Sequence, residues 1–349
     1  MKPVSLDTAH VLICRTDNIG DVVLTLPLAG FLKQRYPSIT IGFLCRAYAA
    51  PMVRYCSALD YVVELEQLDD PVAQLAGSGV DIIIFSKPDK KLAAAAKKAG
   101  IAERVGTSHR WFNWLYCNRL AHFSRVKSEL HEAQLNFELL RPLGIHHIPP
   151  LADIPPLYCL DAPNYDGRIR LPRDQFNLVL HPKSNGNGRE WPIAHYAELA
   201  RLLRKHDDIK LWVTGSGKEG QWLEQHAADL LQISNVNNVC GKFALDELTA
   251  FINAAGGLIA SGTGPLHISA ALGKPTLGLF PPMRPIHPAR WGALGAKAQV
   301  LCQEKLCGGC KNPATCACMQ NIFPMQVADI VLQWQRDAQA ADVVPVSRR

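Results

Sequence analysis

Twice along the chain, short apolar runs alternate with amphipathic helical stretches, and a segment that suits neither element separates the two series. The first series reads as strands at 11–15, 40–45, 61–65, 81–85 and 103–106, with helices between them. The second reads as strands at 177–181, 210–214, 236–240, 257–261 and 276–280, with helices at 193–205, 219–231, 245–255 and 266–272. Strands joined through a helix pair in parallel, so each series predicts a parallel sheet covered by helices. Between 149 and 172 six prolines interrupt any periodicity, as in an extended linker. The predicted organisation is two similar α/β halves, 1–160 and 161–349, a length of 349 residues being right for two domains. Ligands of open α/β sheets bind beyond the carboxyl ends of the strands, so two such halves facing each other imply a cleft between them. Pro27, inside the helical stretch 21–35, predicts a kink or an early break. Residues 131–143 read as a helix closing the first half, and a last helix runs from Pro324 to about Ala340.

Other architectures are excluded by what the chain lacks. No apolar run approaches the roughly eighteen residues of a membrane helix, and the longest, 22–32, contains Pro27. The apolar stretch 11–14 runs straight into Arg15 and is too short for a signal peptide, so a cytoplasmic protein is expected. Eleven cysteines, an odd number, argue for reduced thiols rather than a disulfide framework. Five of them, Cys302, Cys307, Cys310, Cys316 and Cys318, form a Cys-x-x-Cys followed by a Cys-x-Cys, which suits either a structural zinc or free thiols. The net charge of +6 is unevenly placed: ten Lys or Arg between Lys87 and Lys127 face only Asp89 and Glu103, a local balance of +8. Trp111, Phe112, Trp114, Tyr116 and Phe123 interleave with these cations. The pattern suits a phosphorylated glycolipid or an acidic membrane face, and equally a solvated helix face. No nucleic-acid-binding motif accompanies it.

Three loops carry candidate chemistry, each at a predicted strand end. Ser261-Gly262-Thr263-Gly264-Pro265-Leu266-His267 leads from a strand into a helix. Thr263 can cap that helix, Pro265 suits its first turn, and free backbone N–H groups there can hold a phosphate. An ordinary capped turn reads the same residues without a ligand. The loop 181–192, His181-Pro182-Lys183-Ser184 through Arg189-Glu190-Trp191-Pro192, places two cations where they can clamp a diphosphate, or forms a plain surface loop. In Arg15-Thr16-Asp17-Asn18-Ile19-Gly20-Asp21, a carboxylate can take a proton from a substrate hydroxyl or merely offset a helix dipole. Gly215-Ser216-Gly217-Lys218-Glu219-Gly220 spells a dinucleotide fingerprint, but it follows the second strand of its half, and no acidic residue stands near Cys240 at the next strand end. A dehydrogenase is therefore not expected. No P-loop pattern exists either, because each Gly-Lys pair is followed by Glu219, Phe243 or Pro275.

In this order and on these strands, the loops resemble the ADP-heptose:lipopolysaccharide heptosyltransferases, inverting glycosyltransferases of the GT-B fold. The resemblance runs from Gly20-Asp21-Val22-Val23-Leu24-Thr25-Leu26-Pro27, through His181-Pro182 and Glu190-Trp191-Pro192, to the segment from Gly264-Pro265-Leu266-His267 to Gly273-Lys274-Pro275. It implies two Rossmann-like α/β domains, the first binding acceptor and the second the nucleotide sugar. It implies Asp21 as general base, and Arg189, Thr263, Gly264, Pro265 and His267 at the donor diphosphate. Lys183 and Ser184 match loop positions near the donor, Phe243 a side chain against the adenine, and Glu219 an acidic residue near the ribose. Arg110 and Arg119 are the candidate acceptor contacts. The implied partners are ADP-heptose and an anionic glycolipid, with peripheral contact at the inner membrane surface, no nucleic acid, no metal and no cofactor. Two positions depart from the family: Gly262 stands where an Asp is usual, and Lys183 where Gly commonly follows His-Pro. Another nucleotide sugar, or a non-catalytic relative, are the alternatives these departures leave.

Overall fold

The first series of apolar runs forms β1 (His10–Cys14), β2 (Thr40–Cys45), β3 (Tyr61–Glu64), β4 (Ile82–Phe85), β5 (Glu103–Thr107) and β6 (Arg119–Ala121). The second forms β7 (Phe176–His181), β8 (Ile209–Val213), β9 (Val236–Asn238), β10 (Gly257–Ala260), β11 (Thr276–Phe280) and β12 (Ala298–Cys302). These come from a computed structural model that describes residues 5–184, 186, 188–304, 307 and 316–343. The chain divides into two compact units, Met1–Ala162 and Pro163–Arg349.

Each unit holds one six-stranded parallel sheet, in the orders β3-β2-β1-β4-β5-β6 and β12-β11-β10-β7-β8-β9. Counted from the first strand of its own unit, each sheet has the doubly wound order of Rossmann folds, so the α/β class expected from the sequence is what forms. Both sheets reverse winding direction between two central strands. Cys14 pairs with Phe85 at the carboxyl ends of β1 and β4, and His181 with Ala260 at those of β7 and β10. A crevice opens at each such switch point, bordered by the loops that leave the two central strands of that sheet.

Two strands escape the sequence reading, β6 and β12, and both lie at sheet edges. An edge strand buries less and shows a weaker apolar signal: β6 has three residues, and most of β12 is at least partly exposed. Pro27 breaks its helix as expected, into Ile19–Val23 and Pro27–Arg35. The break frees the Leu24 carbonyl, which accepts from Asn136 Nδ2 at 3.0 Å. The helix expected at 131–143 is α-helical only over Glu132–Phe137 and continues as a 3₁₀ helix, Glu138–Leu143, around Pro142. The stretch 219–231 is likewise two helices, Gly217–His226 and Ala228–Leu231.

The cores sit between sheet and helices in each unit. In the first, Leu12, Leu44, Ile83 and Phe85 meet Leu92 and Ala96. In the second, Leu178, Leu211 and Ile259 meet Trp191, Tyr196 and, from the last helix, Val331 and Trp334. Burying each such side chain contributes roughly 1.5–3 kcal/mol, which sets the strand ends and their loops on a rigid base. Gly30 permits a backbone crossing: a Cβ there would lie 2.1 Å from the Leu157 carbonyl oxygen.

Candidate active site

At the switch point of the first sheet, β1 is followed directly by Arg15, which is only 3% exposed. A buried guanidinium must be paired on several sides. Arg15 Nε donates to Asp17 Oδ1 at 2.7 Å, one terminal nitrogen donates to Asp21, and both terminal nitrogens reach Glu132 Oε1 at 3.4 Å. Glu132, 1% exposed, also accepts from Arg125. Arg125 donates further to the Ser86 carbonyl at 3.0 Å and to Asn136 Oδ1 at 3.2 Å. Among these bonds two cations share three carboxylates, a surplus of one negative charge.

That surplus bears on Asp21, in the first turn of Ile19–Val23. Burial pushes its carboxyl up to about 6; Arg15 works against this, while Asp17 and Glu132 add to it. A carboxylate that takes up a proton just below neutral pH, with 14% of its side chain still accessible, is suited to general-base work.

In the second unit the loop after β7 and the turn after β10 are packed together. The Trp191 amide donates to Ser261 Oγ at 3.2 Å, and a Cβ on Gly188 would stand 3.9 Å from the carbonyl oxygens of Ser261 and Gly262. Glu190 organises the loop: it accepts from Lys183 Nζ at 2.5 Å, the Ser184 amide at 2.8 Å and Ser184 Oγ at 3.1 Å. Lys183 Nζ also lies 3.8 Å from the centre of the Trp222 ring. Arg189 is partly buried in the same loop; Asn185 and Asn187 lie outside the described residues.

Gly262, at φ 39°, turns the chain into the helix Gly264–Ala271. Thr263 takes the N-cap position, but its hydroxyl makes no cap bond, contrary to the expected role. Thr263 Oγ1 is buried and has no hydrogen-bond partner among the described residues. Such a group costs about 1–3 kcal/mol, a cost that a bound acceptor or donor atom removes. Pro265 sits in the first turn, where no carbonyl awaits its missing N–H, and His267 is 3% exposed.

The remaining candidates are placed unequally. Glu219 joins a capping box, accepting from the Ser216 amide at 2.7 Å, so Oε2 already has a local task. Its charge, with that of Glu190, opposes the burial that lowers His181 to about 4, and His181 is bonded to Thr214 Oγ1 at 2.9 Å. Phe243 is part of an aromatic group, 4.7 Å from Phe251 and edge-on to Tyr165 at 6.2 Å. Arg110 is exposed, whereas Arg119 is 6% exposed and gripped by Glu103 through bonds of 2.6 and 2.9 Å. A guanidinium so held already pairs two neighbouring strands, whereas that of Arg110 is open to solvent. A cavity of about 1050 Å³ opens at the amino ends of the second sheet, bordered by Arg170, Arg173, Asp208 and Lys274, and no donor candidate is among the residues that line it. Among the described residues no three His, Cys, Asp or Glu side chains converge as metal ligands, and Cys310 lies outside them.

Sequence reading missed Arg15, Arg125, Glu132 and the organising role of Glu190. The six-residue separation of Glu190 from Ser184 is a local signal that could have revealed it. Nothing local links Arg15 to a glutamate 117 residues away.

Residues 77–318 match the family described as glycosyltransferase family 9 (heptosyltransferase). A Haemophilus influenzae protein provisionally named a glycosyltransferase is 26% identical over 80% of this chain and 85% of its own. The E. coli ADP-heptose lps heptosyltransferase II superposes with a TM-score of 0.71 at 18% identity, over 95% of this chain and 99% of that one. E. coli heptosyltransferase WaaC with ADP-2-deoxy-2-fluoro heptose does so with 0.64 at 19%, over 93% and 99%. The two structural likenesses are of fold.

Proposed function

The chain belongs to glycosyltransferase family 9, the heptosyltransferases, and from that premise we propose that it moves heptose from ADP-heptose onto an anionic glycolipid of the lipopolysaccharide core, with inversion and without a metal. The observation that carries this reading is the unpartnered Thr263 hydroxyl, buried at a helix N-terminus beside a cation-bearing loop. A diphosphate is the ligand that such a corner suits, since it accepts from hydroxyl, amide and guanidinium at once. The E. coli neighbours, an ADP-heptose lps heptosyltransferase II and a heptosyltransferase with ADP-2-deoxy-2-fluoro heptose, support the donor.

In this reading the second unit holds the donor through Arg189, Lys183, Ser184, the Thr263–Gly264 amides, Pro265 and His267, with Phe243 near the base and Glu219 near the ribose. The first unit supplies Asp21, which takes the acceptor hydroxyl's proton as the oxygen attacks the anomeric carbon. The bond to the diphosphate breaks as the new glycosidic bond forms, and the departing charge is met by Arg189 and the helix amides. Arg110 is the remaining candidate for the acceptor's anionic groups. The acceptor being a glycolipid, the enzyme works from the cytoplasm at the inner membrane face. No helix among the described residues is long and apolar enough to cross a membrane.

Another nucleotide sugar is the second reading, and Gly262 favours it: a Cβ at this left-handed position would stand 3.2 Å from the Phe280 ring, so the turn is built without the family's usual carboxylate. Calorimetric titration with ADP-heptose, ADP, UDP-glucose and GDP-mannose separates the two. Selective binding of ADP-heptose is expected; preference for UDP-glucose or GDP-mannose reassigns the donor, and binding without turnover on any acceptor would sink the catalytic reading. Thr263→Val sharpens the test. It should leave thermal stability unchanged or raise it by about 1 kcal/mol, because it removes an unpaired buried hydroxyl. Donor affinity should fall about tenfold for the lost charge-assisted bond. Unchanged affinity in this variant would remove Thr263 from the diphosphate site.

A further inference from the structure

Beside Arg110, the first unit carries a helix whose outer side chains have no part in the reaction as proposed. The short helix Trp111–Tyr116 is built with its polar side inward. Asn113 is fully buried and donates through Nδ2 to the Thr107 carbonyl at 2.8 Å, and Cys117, four residues on, is 7% exposed. Trp111, Trp114 and Leu115, at the spacing of one helix face, point outward and are 65%, 61% and 53% exposed. A contiguous apolar stripe on a surface otherwise crowded with lysine needs an occupant.

The surroundings say which. The neighbouring helix Lys90–Lys98 buries Leu92, Ala93, Ala95 and Ala96 and leaves its lysines outside. Lys90 Nζ stands 5.0 Å over the Trp111 ring, and Lys97 Nζ donates to the Leu115 carbonyl at 2.8 Å, tying this helix to the stripe. Both carboxylates of the stretch are engaged: Asp89 caps the lysine helix and Glu103 holds Arg119. Lys90, Lys91 and Lys98 make no ion pair among the described residues.

We propose that this face docks on a bilayer containing anionic phospholipid. The indole rings enter at headgroup depth, Trp114 with its N–H already donated to the Ser108 carbonyl at 2.9 Å, and the lysines meet the phosphates. A surface of uniform positive charge around apolar anchors complements a surface of uniform negative charge. The proposal rests on the glycolipid reading for its purpose alone, because vesicle binding is measured without sugar transfer.

The test sediments the full-length protein with vesicles of phosphatidylcholine alone or mixed with phosphatidylglycerol. Binding to the mixed vesicles is expected, weakening as salt is raised, with little binding to phosphatidylcholine alone. The exposed double variant Trp111→Ser/Trp114→Ser should lower partitioning about tenfold or more. The triple variant Lys90→Gln/Lys91→Gln/Lys98→Gln should lower it roughly a hundredfold. Neither variant should shift thermal unfolding or transfer to a water-soluble acceptor. Unchanged partitioning of either variant, equal binding to both vesicle types, or no binding at all would overturn the proposal. So would a change from dimer to monomer caused by the tryptophan variant, since the face would then join two copies of this chain. If vesicle binding behaves as expected while no sugar is transferred, the docking face stands and the glycolipid reading falls.

Discussion

Asp21→Ala is expected to lower transfer by about a hundred- to ten-thousand-fold, the usual contribution of a general base, while calorimetric donor affinity stays as in the wild type. The split follows from placement: Asp21 belongs to the first unit, and every donor candidate to the second. The same base sets the pH dependence. Its carboxyl is pushed up to about 6, first by burial and then by its acidic neighbours. Only the ionised form accepts a proton, so kcat/KM should climb with pH through about 6 and level off above it. A wild-type profile flat from pH 5 to 8, or near-normal turnover in the alanine variant, would take the role of base from Asp21. His181 predicts a separate effect on stability. Burial lowers it to about 4, so between that value and the unfolded imidazole's ordinary value the unfolded chain binds the extra proton. Stability falls as pH drops through that window, whereas Asp21 governs rate.

How far the sequence could be read depended on how locally each interaction is made. The turn 261–267 is local: glycine, cap position and proline lie within one helical turn, and the structure builds them as a strand-to-helix turn. What the sequence could not show was that the Thr263 hydroxyl turns away from its cap role. Glu219 was open to a better reading, since Ser216-x-x-Glu219 before a helix is itself a capping signature. The pairing of Arg119 is hidden in the sequence because β6 gives no strand signal there. Once residues 119–121 lie beside β5, with Arg119 opposite Val105, Glu103 comes within reach and the pair is evident. The Arg15 network lies beyond any local pattern. It needs the end of β1, the loop after β4 and the helix Glu132–Phe137 to meet, and only the completed sheet order brings them together.

Glu132→Gln should therefore produce a large effect of a different kind from Asp21→Ala. Neutralising a buried carboxylate that both guanidiniums contact breaks a buried ion pair and costs about 3–5 kcal/mol, read as a lowered Tm. Packing loss alone would stop there, but the charge balance predicts more. With Glu132 neutral, two cations face two carboxylates, and the repulsion that helped raise Asp21 is gone. The acidic limb of kcat/KM should move to lower pH than in the wild type, even as stability falls. Arg125→Gln tests the sign in a variant that perturbs a more accessible side chain, 22% exposed. It leaves the Glu132 charge less offset, so the limb should move to higher pH. Opposite displacements from two variants that both destabilise cannot come from loosened packing, which would shift both profiles together or neither. They would identify Glu132 and Arg125 as positioning residues that tune Asp21 through Arg15. If the limb stays in place in both variants while Tm falls, the network only holds the fold, and the proton affinity of Asp21 is set by its own burial.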